Sequence, residues 1–421
     1  MIVCLSASHK KASLSMLESL HISDEQEFMK TLCLEGLAKE SVLLQTCNRV
    51  EIYLFTQNSD EDKVINEALK FWSVKTGVSL DVITKAIETY YGDEALTHIF
   101  FLASGLESMV LGEDQILGQV RSAYVKAKKF GYAGSILEKV FMKAVNVGRR
   151  VRNETAINEK SVSLSSVAVD SAEGDLGDLR RITALVIGAG EAGSIAAKAL
   201  RKRCVNALFV ANRTFEQGLE LASRVGGKAI SFNEIMHVMP KVDLVIVALS
   251  VDKPILTCEQ MENMFSQLKF KKRLYVIDLS QPRAVDEKVG ELAGVSLRNI
   301  DDLKNTVEEN LKCRQSEAKK AEKIVLEELE RFKCELARLL IKPLITEIYR
   351  RINEMRKKEL DRALRKMGEV DSNKLMIMER FSRELVERIL QMPVEQLKDA
   401  AIKNDNALLA AAKVLFKIKA Q

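Results

Sequence analysis

The hydrophobic pattern changes character twice along the chain. In the first third, the apolar runs Val42-Leu43-Leu44 and Val50-Glu51-Ile52-Tyr53-Leu54-Phe55 flank the polar stretch Gln45-Thr46-Cys47-Asn48-Arg49. The second run alternates with period two, as a half-buried strand does. Strands at 2–7, 41–45 and 50–56 and helical stretches near 24–38 and 60–76 predict a mixed α/β unit, with a more helical portion from about 93 to 153. Within that portion, residues 105–121 are unusually rich in glycine and polar groups. Glycine inside a helix costs stability, so this segment calls for a packing or functional reason.

From residue 156 the apolar runs become short and unbroken, as in central parallel strands: Leu185-Val186-Ile187, then 207–211, 243–249 and 274–279. Helical stretches between them predict a doubly wound sheet. From about 299 glycine nearly vanishes, with Gly368 the only one, and charged residues interleave with Leu, Ile and Val at helical spacing. This predicts a long helix followed by further helices, with kinks or breaks at Pro343 and Pro393. The resulting domains are 1–155, 156–298 and 299–421. A chain of 421 residues is too long for one core, which agrees with that division.

Composition adds little to this picture. A hydrophobic fraction of 47%, a charged fraction of 29% and a net charge of +5 are those of an ordinary soluble protein. Local basic clusters (Lys126, Lys128, Lys129 and Arg149, Arg150, Arg152) fit either a nucleic-acid surface or solvated helix faces. The seven cysteines are scattered, odd in number and form no CxxC pair; the four histidines form no HxxxH pair. Neither a disulfide framework nor a local metal motif is predicted, so no metal is expected. No segment reaches the length of a membrane span and no leader pattern opens the chain, which makes the cytoplasm the expected location.

Two motifs carry chemistry. Cys47 sits in a polar turn between strands, with Arg49 two positions on. The guanidinium either favours the thiolate or binds a carboxylate with its planar fork; the alternative for Cys47 is a buried small hydrophobe. Gly188-Ala189-Gly190-Glu191-Ala192-Gly193 follows an apolar strand and opens a helix, the context a dinucleotide-binding turn requires. The next strand ends in Asn212-Arg213-Thr214. A carboxylate at that place would bind a ribose 2′-hydroxyl, whereas Arg213 attracts a 2′-phosphate, so NADPH is expected over NADH. A hydride source and a nucleophilic cysteine on one chain suggest a thioester-forming reductase. A dinucleotide domain alone fits a small-molecule dehydrogenase equally well.

Four stretches resemble the glutamyl-tRNA reductase family, in the family's order. They are Thr46-Cys47-Asn48-Arg49-Val50-Glu51-Ile52-Tyr53; Ala103-Ser104-Gly105-Leu106-Glu107-Ser108-Met109-Val110-Leu111-Gly112-Glu113-Asp114-Gln115-Ile116-Leu117-Gly118-Gln119-Val120; Ser161-Val162-Ser163-Leu164-Ser165-Ser166 together with 188–193; and Ile300-Asp301-Asp302-Leu303 through Glu308-Glu309-Asn310-Leu311. The resemblance implies an N-terminal α/β catalytic domain, a Rossmann-type NADP-binding domain and a C-terminal all-α dimerisation domain in a V-shaped homodimer. It implies that Cys47 attacks the ester of glutamyl-tRNA(Glu), and that hydride from NADPH reduces the thioester to glutamate-1-semialdehyde, the first step of C5-pathway tetrapyrrole (5-aminolevulinate) synthesis.

By the same resemblance Thr46, Asn48, Arg49, Ser108, Glu113, Asp114, Gln115 and Gln119 hold the substrate, with Arg49 on the glutamate side-chain carboxylate. The family often has proline where this chain has Asp114. His98 matches a histidine near the thioester, implying proton transfer or orientation of the leaving group; the alternative is a packed histidine beside Ile99-Phe100-Phe101-Leu102. Cys4 and the other cysteines match no catalytic position. Partnership with glutamate-1-semialdehyde aminomutase and domain motion before hydride transfer are further implications.

Overall fold

The computed structural model describes residues 1–56, 61–159, 163–267, 273–368 and 371–418. The chain divides into two units. One comprises Met1–Met109, Glu113–Glu154 and Ala321–Gln421; the other comprises Val110–Gly112 and Thr155–Lys320.

The first unit runs β1 (Ile2–Ser8), α1 (Leu14–Ser19), α2 (Glu25–Leu34), β2 (Glu40–Thr46), β3 (Arg49–Phe55), α3 (Glu61–Thr76), α4 (Leu80–Ala86), β4 (Ile87–Tyr91), α5 (Gly92–Ala103), α6 (Asp114–Phe130) and α7 (Ser135–Glu154). Its sheet has the order β2-β3-β1-β4, and β3 pairs antiparallel with both β1 and β2. Only Cys47 and Asn48 separate β2 from β3. The strand β4 and the short helices α1 and α4 were not expected from the sequence.

The period-two pattern of β3 has an unexpected meaning. Every residue of β3 is buried, so its polar positions do not face water. The register places Ser8 opposite Arg49, Ser6 opposite Glu51 and Cys4 opposite Tyr53. Directly paired residues share a face, so these six side chains form a polar layer within the unit. His98 of α5 and Phe141 of α7 meet Tyr53 there, with ring centroids 6.4 and 5.1 Å away.

A buried carboxylate fixes α7 to the sheet. Glu40, the first residue of β2, accepts hydrogen bonds from the N–H groups of Ile136 (3.1 Å) and Leu137 (2.6 Å). These are N-terminal donors of α7 that have no partner inside the helix, and the positive end of the helix dipole favours the anion.

In the second unit α8 (Leu164–Leu176) precedes β5 (Thr183–Ile187), α9 (Glu191–Lys202), β6 (Ala207–Ala211), α10 (Phe215–Val225), β7 (Lys228–Ile230), α11 (Ile235–Val238), β8 (Leu244–Val247), α12 (Cys258–Ser266), β9 (Leu274–Asp278) and β10 (Val295–Asn299). The strands form one parallel sheet in the order β10-β9-β8-β5-β6-β7. The order reverses at β5, and such a reversal opens a crevice at the carboxyl ends of the strands where ligands bind. Ser161 and Val162 lie outside the described residues.

The helix α13 (Ile300–Met367) then runs unbroken for 68 residues, followed by α14 (Ser372–Ile402) and α15 (Asn406–Leu415). The expectation of breaks at Pro343 and Pro393 is corrected here, because both prolines lie inside helices. The chain turns instead at Gly368, with φ +74°, and Asp371 caps the next helix by accepting from the N–H groups of Asn373 and Lys374. Ile341, Ile348, Leu390, Val394, Leu397, Ala401 and Ala412 form the core of this helical part, enough to hold both proline-bearing helices in place.

Removing the Glu40 carboxylate strands two buried backbone donors. Glu40→Ala should therefore lower unfolding free energy by about 1–3 kcal/mol, read from urea titration, with Glu40→Gln losing less.

Candidate active site

The two-residue turn between β2 and β3 presents Cys47 to solvent. Thr46 Oγ1 accepts from the Asn48 N–H at 3.2 Å, and the Gln45 side-chain amide brackets Ile22 by bonding both its N–H (2.7 Å) and its carbonyl (3.1 Å). The turn is thus held from both flanks while the thiol itself remains open.

Beneath the turn lies the polar layer, organised around Glu51. This carboxylate is fully buried. Its Oε1 accepts from Ser6 Oγ (2.9 Å) and Arg49 Nη1 (2.7 Å) and lies 3.0 Å from His98 Nε2; its Oε2 accepts from the Tyr53 hydroxyl (2.7 Å). Burial would raise its pKa, but His98, Arg49 and Tyr53 together hold the carboxyl well below the usual range.

His98 is 3% exposed. Its second ring nitrogen, Nδ1, lies 3.1 Å from Glu107 Oε2. Burial alone would lower its pKa; Glu51, Cys4 and Glu107 around the ring together raise it well above the ordinary 6.5. The ring is stacked on Tyr90 with centroids 4.4 Å apart, an arrangement that favours a cation.

Glu107 is also bound by Lys10 Nζ at 2.9 Å, and its backbone carbonyl accepts from Arg49 Nη2 at 2.7 Å. The cluster therefore holds three cations (Lys10, Arg49, His98) against two carboxylates (Glu51, Glu107). It carries one net positive charge, with Lys10 on the exposed rim.

Glu107 belongs to the glycine-rich segment, and the reason for its glycines is visible. Residues 104–113 form a chain of turns between α5 and α6, not a helix. Gly105 and Gly112 adopt φ of +76° and +75°, where a side chain would be strained. Arg152, expected on a solvated face, is mostly buried. It clamps both ends of the segment by donating to the carbonyls of Ala103 (2.9 Å) and Glu113 (2.8 Å). Other members of the basic clusters are paired: Lys126 with Glu25, Lys128 with Glu138, and Arg150 with Glu154 and Glu328.

The segment also carries Ser108, whose Oγ is shielded from solvent and has no hydrogen-bond partner. Beyond it, Glu113 caps α6, Asp114 and Gln115 are exposed in its first turn, and Gln119 is half-buried one turn later. Asp114 lies 3.5 Å from Arg152. Sequence reasoning singled out Arg49, His98 and Ser108 but missed Glu51, Glu107, His9, Lys10 and Ser6. The signal for Glu51 was its place between Arg49 and Tyr53 at period two in an otherwise apolar strand.

Cys4, expected to be structural, joins the cluster. Its Sγ, a Glu51 oxygen and a His98 nitrogen lie within 4.8 Å of one another. These are zinc-type donors, but they do not fit a cation. Glu51 already accepts from its neighbours, Glu107 occupies the other side of the His98 ring, and the Arg49 guanidinium lies beside the carboxylate. Burial pushes the Cys4 thiol up to about 11, so it stays protonated.

In the second unit the turn after β5 is built for close backbone approach. At Gly188 (φ +114°) a Cβ would come within 2.1 Å of the Ala248 carbonyl oxygen, and at Gly193 within 2.0 Å of the Gly188 carbonyl oxygen. At Gly190, which caps α9 without a side-chain bond, a Cβ would meet open space. The first-turn N–H groups from Glu191, Ala192 and Gly193 have no earlier helical carbonyl to bond, as phosphate oxygens require. Asn212 Oδ1 accepts from the Ala189 N–H at 3.1 Å and so ties the end of β6 to this cradle; Arg213 and Thr214 are exposed next to it. The residues fit a dinucleotide.

A Rossmann-type domain of the NAD(P) kind, joined to a domain with an exposed thiol over a charged cluster, defines a thiol-bearing oxidoreductase. The family models described as "Glutamyl-tRNAGlu reductase, N-terminal domain", "Shikimate / quinate 5-dehydrogenase" and "Glutamyl-tRNAGlu reductase, dimerisation domain" match residues 5–155, 170–306 and 320–418. A glutamyl-tRNA reductase from Methanothrix thermoacetophila is 40% identical over 99% of this chain and 98% of its own length, and one from Methanobrevibacter smithii is 37% identical over the whole of both. The solved glutamyl-tRNA reductase of Methanopyrus kandleri superposes with a TM-score of 0.76 at 34% identity, covering 98% of each chain. The chain belongs to the glutamyl-tRNA reductase family. Among the described residues no helix is long and apolar enough to cross a membrane.

The charges of the cluster set opposite pH slopes. Glu51, depressed on folding, contributes stability that is present above its ordinary pKa of 4.5 and lost as pH falls through the folded value. His98, raised on folding, contributes stability that is full below 6.5 and lost as pH rises through its folded value. Melting temperature should therefore fall as pH rises above 6.5, and His98→Asn should flatten that slope in calorimetry.

Proposed function

We propose that this chain reduces glutamyl-tRNA(Glu) to glutamate-1-semialdehyde with NADPH, through a thioester on Cys47. The observation that carries the reading is the exposed thiol on a fixed turn next to a cluster in which Lys10, Arg49 and His98 meet Glu51 and Glu107. A glutamyl group brings one side-chain carboxylate, the charge that cluster lacks. Arg49 offers that carboxylate the N–H groups left beyond its bonds to Glu51 and Glu107, and Ser108 offers an unpartnered hydroxyl.

Cys47 attacks the acyl carbon; its S–C bond forms as the ester C–O bond to the terminal ribose breaks. Thr46 and Asn48 hold the turn. Glu113, Asp114, Gln115 and Gln119, at the start of α6, hydrogen-bond the α-amino group and terminal nucleotide. His98, an imidazolium between Glu51 and Glu107, keeps both carboxylates charged and so keeps Arg49 and Lys10 in place. Gly188, Ala189, Gly190, Glu191, Ala192 and Gly193 cradle the pyrophosphate of the dinucleotide, and Asn212, Arg213 and Thr214 the adenosine ribose. When bound, the dinucleotide supplies hydride to the thioester carbon.

The C-terminal helices complete the proposal. Met376, Ile377, Phe381, Leu385, Ile389 and Met392 of α14 are exposed. A contiguous apolar helix face of this kind needs a partner, and within the matched dimerisation domain a second copy is the fitting one.

Incubation with glutamyl-tRNA in the absence of NADPH should leave a glutamyl adduct on Cys47, read by mass spectrometry. Cys47→Ser should form no thioester while still binding dinucleotide. Reduction that survives RNase digestion of the substrate would contradict the proposal. Arg213→Glu should raise KM for NADPH by roughly tenfold or more, about 1.4 kcal/mol, and change KM for NADH little.

A further inference from the structure

Acyl transfer to Cys47 needs a group that takes the thiol proton and returns it to the departing ribose oxygen. The resemblance leaves His98 either proton transfer or orientation of the leaving group; its Nε2 lies 3.0 Å from Glu51 and its Nδ1 3.1 Å from Glu107, which suits it to orientation. With a carboxylate within ion-pair distance of each nitrogen and its pKa raised well above 6.5, the ring holds its protons and does not accept another.

His9 differs in charge and in place. It is the first residue beyond β1, and its backbone N–H donates to the Asn48 carbonyl at 3.0 Å. That bond carries the β1–β3 register, in which Ser8 faces Arg49, one step further into the turn that bears Cys47. Opposed Cα atoms of antiparallel strands are about 5 Å apart, so His9 stands across from Asn48, the residue next to Cys47, at one end of the sheet. His9 Nδ1 is shielded from solvent and has no hydrogen-bond partner.

The charged groups around the ring are Arg49 from β3, Lys10 on its own segment and Glu107 from the segment after α5; the Asn48 carbonyl also lies against it. Burial and the two cations outweigh the carboxylate and the carbonyl and hold its pKa below 6.5. At neutral pH the ring is neutral and one nitrogen carries a free lone pair.

We propose that His9 is the general base and general acid of acyl transfer to Cys47. This rests on the thioester reading above. The Cys47 S–H proton passes to the imidazole as the S–C bond forms. The ester C–O bond then breaks, and the same proton passes from the imidazolium to the ribose oxygen. The tRNA leaves with a free hydroxyl, and His9 returns to its neutral form.

Single-turnover acylation of the full chain by glutamyl-tRNA, without NADPH, followed by mass spectrometry from pH 5 to 8, tests this. In the unaltered protein the rate should rise with pH through an ionisation below 6.5 and then level. His9→Ala should remove that limb and slow acylation roughly 10²–10⁴-fold, with the melting temperature and dinucleotide binding preserved, and added imidazole should restore much of the rate. A His9→Ala protein that retains the limb, or a folded one whose lost rate imidazole does not restore, overturns the proposal. Absence of any Cys47 adduct in the unaltered protein would instead overturn the thioester reading, a distinguishable result.

Discussion

The active-site half of this protein depends on a carboxylate kept ionised without water. An isolated buried anion is so costly that it ordinarily takes up a proton. Glu51 stays charged because Ser6, Arg49, Tyr53 and His98 converge on its two oxygens. The dependence runs both ways. Arg49 and His98 are themselves buried cations that Glu51 makes tolerable, and His98 in turn orders Glu107. Breaking such a set by removing one member leaves the others uncompensated, so the cluster forms as a whole or not at all.

Much of the fold was legible because each region obeys one period. The apolar strands around 185–187, 207–211, 243–249 and 274–279 and the glycine turn after the first are local signals, and the parallel sheet contains them all. The charged, glycine-poor C-terminal third read as helix and is helix. Pro343 and Pro393 do not break their helices because a proline's local penalty is a few kcal/mol, which packing along α13 and α14 outweighs; the chain breaks where Gly368 permits a left-handed turn.

The site was only partly legible, for a physical reason. Alternation along β3 says that one face is polar, but it cannot say whether that face meets water or other side chains. The answer depends on Ser6, His98 and Glu107, which stand 45, 47 and 56 positions from Glu51 in sequence. Arg49 drew notice as a neighbour of Cys47, yet its role is set by the partner two residues on. The glycines of the 105–121 segment read as anomalies within a helix because nothing local shows the Arg152 clamp that holds the segment open.

The two-residue turn between β2 and β3 has a consequence for how this sequence can change length. Side chains on a strand point alternately to opposite faces. One residue inserted at Cys47-Asn48 and absorbed by sliding β3 would turn Arg49, Glu51 and Tyr53 away from His98 and bring Val50, Ile52 and Leu54 into the charged layer. A deletion would do the same. The spacing from Cys47 to the ion cluster is thus locked by the pleat of the strand, and point substitution is the mild way for this stretch to vary.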